Sequence, residues 1–129
     1  MLKIMPNEKN PKYDLEERTA KFGEKIIEFA KEIPQNPITG PIINQLVKSG
    51  TSVGANYCEA DDAETSRDFV HKIGICKKEA RETKYWLRMV VNIIPVLREE
   101  AKILWQEAKE LNLIFNSITN KIKNKKREN

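Results

Sequence analysis

Histidine occurs once in this chain, cysteine twice and glycine five times, and each scarcity closes off a kind of chemistry. The one histidine, His71, sits a helical turn from Asp68. A bundle that binds two metal ions needs such a carboxylate–histidine pair on two helices, plus two further carboxylates. No metal or cofactor is therefore expected. Cys58 and Cys76 form no CxxC motif. If 62–65 is a turn between antiparallel helices, the two thiols are offset along the axis by ~12 Å. That is too far for a disulfide, so both are expected as packed, free thiols. The glycines build no phosphate-cradling loop or nucleophile elbow, since Ser49-Gly50 and Ser52-Val53-Gly54 fall inside a helical pattern. Glu59, Glu79 and Glu82 read as exposed salt-bridge partners. No catalytic residue emerges, and the expectation is a protein that is not an enzyme and has no small-molecule substrate.

Long apolar runs are missing as well. Stretches such as Met89-Val90-Val91 are too short to span a bilayer. The first residues lack the apolar core and cleavage site of a secretory signal, so a cytoplasmic location is expected. Nowhere does hydrophobicity alternate with the period of a strand.

What is present is a heptad stripe. Phe69, Ile73, Cys76, Ala80, Thr83, Leu87, Val90 and Ile94 recur at steps of four and three, which holds them on one helical face. Past Pro95 the rhythm resumes with Leu97, Ala101, Leu104, Ala108, Leu111, Phe115, Ile118 and Ile122. Upstream, Leu15, Phe22, Ile26, Phe29 and Ile33 mark one helix from an N-cap at Asp14 to about Ile33. Ile43, Leu46, Gly50, Val53, Tyr57 and Ala60 mark another, opening at Pro41. Gly50 and Gly54 stand on one side of that second helix, where a neighbouring backbone could approach closely. A break there is the rival reading. Helices three and four are expected over 66–94 and 96–121. The fold class is all-α, an up-down-up-down four-helix bundle over 14–121, with a flexible lead-in at 1–13 and a basic tail at 122–129. Composition supports one globular domain, 40% hydrophobic and 33% charged.

Helix three is busy on more than one face. Ile75, Trp86, Met89 and Ile93 lie beside the stripe, and helix four adds Trp105 off its own seam. They either thicken the bundle core or form an interface between subunits of a ring-shaped homo-oligomer. On the other side Lys77, Arg81, Lys84 and Arg88 make a purely basic row. It is either a solvated face paired with Glu79, Glu82 or acids of helix one, or a surface that follows nucleic-acid phosphates. The formal net charge of +4 lies wholly in the last nine residues, where Lys121, Lys123, Lys125, Lys126 and Arg127 face only Glu128. The candidate nucleic-acid contacts are the basic row together with Lys123, Lys125, Lys126 and Arg127. The alternative is an interaction or scaffold subunit that binds no nucleic acid. Asn56 and Glu59 are expected to be structural.

Two segments carry a family resemblance. Ser52-Val53-Gly54-Ala55-Asn56-Tyr57-Cys58-Glu59-Ala60 resembles the helix-two signature of the proteins named after the intervening sequences of bacterial 23S ribosomal RNA genes. Asp68-Phe69-Val70-His71-Lys72, followed by Lys78-Glu79-Ala80-Arg81-Glu82-Thr83-Lys84-Tyr85-Trp86-Leu87, resembles its helix-three signature. Lys48 and Ala60 depart from the arginine and glycine of many relatives. The resemblance implies an up-and-down bundle that assembles as a homopentameric ring. It also implies a link to RNA or DNA, since a related protein of diversity-generating retroelements is a basic pentamer that works with a reverse transcriptase.

Overall fold

In the computed structural model, which describes residues 14–128 and side chains through Lys126, four helices follow one another. They are α1 (Leu15–Lys31), α2 (Thr39–Asp61), α3 (Ser66–Ile93) and α4 (Arg98–Glu128). A single 3₁₀ turn, Pro95–Leu97, joins the last two. No strand occurs among the described residues. The lead-in expected at 1–13 lies outside them.

Local sequence sets the boundaries. Asp14 caps α1 by accepting from the Glu17 N–H at 3.2 Å, and Thr65 caps α3 by accepting from the Asp68 N–H at 3.0 Å. Helix α2 begins at Thr39, ahead of the expected Pro41, because the Asn36 carboxamide accepts from the N–H groups of Ile38 and Thr39 at 2.8 and 2.9 Å. Pro41 then falls in the first turn, where its missing N–H has no helical partner to lose. Helix α4 runs past Lys121 to Glu128, so the basic segment continues the helix. Cations near a helix C-terminus complement its dipole.

Pairs of touching residues fix the topology. Along α1 and α2, Ile26 meets Gly50 while Thr19 meets Gly54. Along α2 and α3, Ser49 meets Thr83, Val53 meets Cys76 and Glu59 meets Lys72. Along α3 and α4, Lys84 meets Trp105 while Lys77 meets Asn116. One number falls as the other rises in every case, so each helix runs antiparallel to the next.

The core is the expected stripe. Ile73, Cys76, Ala80, Leu87 and Val90 of α3 pack with Leu104, Ala108, Leu111 and Phe115 of α4, against Phe22 and Ile26 of α1 and Leu46 and Val53 of α2. Burying each large side chain contributes roughly 1.5–3 kcal/mol. Thr83 donates to Ser49 Oγ at 3.0 Å inside this core, and Ser49 donates to the Leu46 carbonyl at 3.2 Å, so neither hydroxyl is orphaned. Helix α2 is continuous through its glycines. A Cβ on Gly50 would stand 2.7 Å from Ile26 Cγ2, and one on Gly54 would stand 3.2 Å from Thr19 Oγ1 and 3.3 Å from the Thr19 backbone. Glycine is what lets α1 lie so close.

The thiols divide. Cys76 is buried and donates to the Val53 carbonyl, and burial pushes its pKa up to about 12. Cys58 is exposed, contrary to the expected packing, because helical rotation carries it past the core face that Tyr57 and Ala60 flank. No helix among the described residues is long and apolar enough to cross a membrane.

Candidate nucleic-acid interface

The basic row of α3 occupies the positions one residue after the core stripe: Lys77, Arg81, Lys84 and Arg88 follow Cys76, Ala80, Thr83 and Leu87. The same shift applied to α4 yields Arg98, Lys102, Trp105, Lys109, Asn112, Asn116, Thr119 and Lys123, of which Thr119 is buried. In an antiparallel pair these two flanks face each other across one seam. The α4 half of this surface escaped the sequence reading, yet its signal was present. It is the stripe of helix four displaced by one position.

Contacts across the seam bear out that pairing. Asn112 Nδ2 donates to the Lys77 carbonyl at 2.8 Å, and Lys77 Nζ donates to Asn116 Oδ1 at 3.3 Å. Lys84 Nζ stands 5.0 Å from the centre of the Trp105 ring, and Lys109 Nζ stands 5.7 Å from it. Lys77 and Lys84 are thus half-buried against α4, whereas Arg81, Arg88, Arg98, Lys102 and Lys123 are exposed. Among the described residues, none of the seam's cations is in an ion pair. Glu82, one acid able to neutralise the row, instead accepts from the Trp86 indole N–H at 3.1 Å. Glu79 lies on the α2 side, where burial raises its carboxyl pKa.

The acids of α4 stand elsewhere. Glu107 and Glu110 hold Arg18 of α1, with nitrogen–oxygen distances of 2.7 and 2.9 Å. Glu100 acts on Glu32 at the end of α1 and raises its carboxyl pKa. Glu99 lines the open groove between α1 and α4. The acids of α4 are therefore gathered toward α1, while Lys102 borders both grooves.

Near the 3₁₀ turn, the end of α3 and the start of α4 line a groove of about 490 Å³. Leu87, Val91 and Ala101 supply apolar lining; Arg88, Arg98 and Lys102 supply cations. Trp105, 37% exposed, forms a wall. No acid lines it.

The tail cations are only partly gathered. Lys123 stands about five turns from Trp105 and shares its flank, but Lys125 rotates onto the flank of Glu107 and Lys126 onto that of Ala108. The Arg127 side chain lies outside the described residues. Of the residues expected at an interface, Trp86 packs against the core, while Ile75, Met89 and Ile93 are half-buried outside it. Trp105 lies within the basic seam. Asn56 donates to the Ser52 carbonyl at 2.8 Å, and Glu59 pairs with Lys72. The first contact lies within α2 and the second joins α2 to α3. His71 is exposed, and no cluster among the described residues could hold a metal ion.

The family model of the 23S rRNA-intervening sequence protein matches residues 12–117. A solved structure from Bacteroides thetaiotaomicron, described as a protein with unknown function from the S23 ribosomal protein family, has the same fold with a TM-score of 0.74. The two chains are 31% identical over 81% of this chain and 96% of the other. No curated protein matches.

Proposed function

This chain belongs to the 23S rRNA-intervening sequence protein family, and from that premise we propose a non-enzymatic homo-oligomer that binds nucleic acid along its α3–α4 seam. The observation that carries the reading is the unneutralised, acid-free rank of cations running from Arg98 to Lys123 beside Lys77–Arg88. A polyanion gains there both Coulomb attraction and counterion release. Assembly would repeat the rank on every subunit, so weak contacts multiply. Five copies is the number that the family resemblance favours, and the cytoplasm is the compartment.

Ile75, Met89 and Ile93 supply the apolar surface for assembly, since they are half-buried and unenrolled in the core. Trp105 leaves the interface set. Pressing it against another copy would strip water from the cations around it, and interface centres are depleted of charge.

Charge reversal at Arg81 and Lys84 together tests the binding. Affinity for a labelled RNA should fall about tenfold or more, and the slope of log K against log salt should shrink by about 0.7 for each single-strand phosphate left without its cation. Undetectable binding of the unmutated protein at low salt would leave the scaffold reading. Light scattering measures the assembly, and Met89→Glu should yield a smaller, still helical species.

A further inference from the structure

The groove near the 3₁₀ turn differs from the rest of the basic surface in having an aromatic wall. Cations alone bind duplex and single strand alike, because both present phosphates. An exposed indole beside them adds a plane that only an unpaired base can cover, since paired bases are already stacked in the helix. From this juxtaposition we propose that the seam binds single-stranded nucleic acid, with one unpaired base seated in the groove against Trp105 and its flanking phosphates held by Arg88, Arg98 and Lys102. The proposal rests on the nucleic-acid reading above and adds to it the strandedness of the ligand and the residue that selects it.

Charge complementarity names the occupant. The groove holds three cations and no acid, whereas in the larger groove on the other side of α4, about 670 Å³, Glu99, Glu107 and Glu110 stand among Arg18, Lys21, Lys25 and Lys102 and offset most of their charge. The apolar lining of Leu87, Val91 and Ala101 suits the flat body of a base. The Lys84 and Lys109 ammonium groups stand over the indole on flexible stems. A base that takes one of their places forfeits an exposed cation–π interaction worth roughly two- to fivefold in affinity, and stacking returns roughly five- to hundredfold. The displaced ammonium stays beside the strand as a phosphate partner.

The test compares a labelled twelve-nucleotide single-stranded RNA with the duplex of the same sequence, by fluorescence anisotropy at low salt. The single strand should bind more tightly and quench tryptophan emission. Trp105→Ala should weaken the single strand about five- to hundredfold and leave duplex affinity and the salt slope unchanged. Trp105→Phe should restore most of the binding while abolishing the quench, since Trp86, the other tryptophan, packs against the core. Circular dichroism melting of each variant separates a missing stacking plane from a damaged fold. Equal affinity for single strand and duplex, with no effect of Trp105→Ala, overturns the stacking site but leaves phosphate binding standing. Failure of both RNAs to bind removes the nucleic-acid reading itself. Displacement of the strand by a free mononucleotide at comparable concentration would make the groove a nucleotide site and overturn the proposal.

Discussion

Helix α4 has two flanks that handle charge in opposite ways. Toward α1, Glu107 and Glu110 close on Arg18, whose guanidinium is held further toward its charged form by those hydrogen bonds. Toward α3, Arg98, Lys102 and Lys109 meet Lys84 and Arg88, like facing like. The first arrangement spends its charge on holding two helices that share little apolar contact. The second is held by Leu87, Leu104, Leu111 and Phe115 beneath it and tolerates repulsion at its rim. A seam with a good hydrophobic floor can carry charge for a partner; a seam without one must use charge internally.

The widest test of that contrast lies on the third seam, where α1 is held by packing alone. Gly50→Ala sets a methyl against Ile26, an overpacking cost of roughly 1–3 kcal/mol that the helical gain of alanine over glycine offsets by about 1 kcal/mol at most. Chemical denaturation should show a net loss of about 1–2 kcal/mol, with RNA affinity unchanged. Arg18→Ala removes the clasp between α1 and α4. The ion pair is half-exposed, so the expected loss is about 1 kcal/mol, read as a drop of a few degrees in melting temperature. A fall in RNA affinity in that variant would show that the two flanks are not independent.

The smallest effect concerns the top of the α1 seam. A hydrogen bond with Glu100, slight desolvation and repulsion from Glu100 and Glu28 hold the Glu32 carboxyl above the ordinary carboxylate range. A carboxyl raised in the folded state binds its proton more tightly there than in the unfolded chain, so this contact gains stability as pH falls and loses it at neutral pH. Glu32→Gln should raise the melting temperature slightly at neutral pH. The advantage should close as acid protonates Glu32 in the parent protein.

Much of this was legible in the residues. Alternating steps of four and three gave the buried core of α3 and α4 from Ile73 to Val90 and from Leu97 to Phe115, with Phe69, Ile94 and Ile118 only partly buried at its ends. The in-phase pattern across Gly50 and Gly54 gave a continuous α2. The basic row was legible too, but its surroundings were not. Whether Arg81 would meet Glu79, an acid of helix one or nothing depends on distances between helices, and periodicity carries no such information. The same limit split Lys84 from Trp105, assigning one to nucleic acid and the other to an interface, although they stand 5.0 Å apart.

A heptad pattern fixes the direction in which each side chain leaves its own axis, because 3.6 residues per turn bind sequence position to angle. It thereby determined that this chain is helical, which residues are interior, and that Lys77, Arg81, Lys84 and Arg88 share one flank. It is silent on which helix lies beside that flank. Only tertiary packing could bring the flanks of α3 and α4 edge to edge, send every described acid of α4 toward α1, and leave an indole standing among cations, since neighbour identity arises from how four rods close around one core.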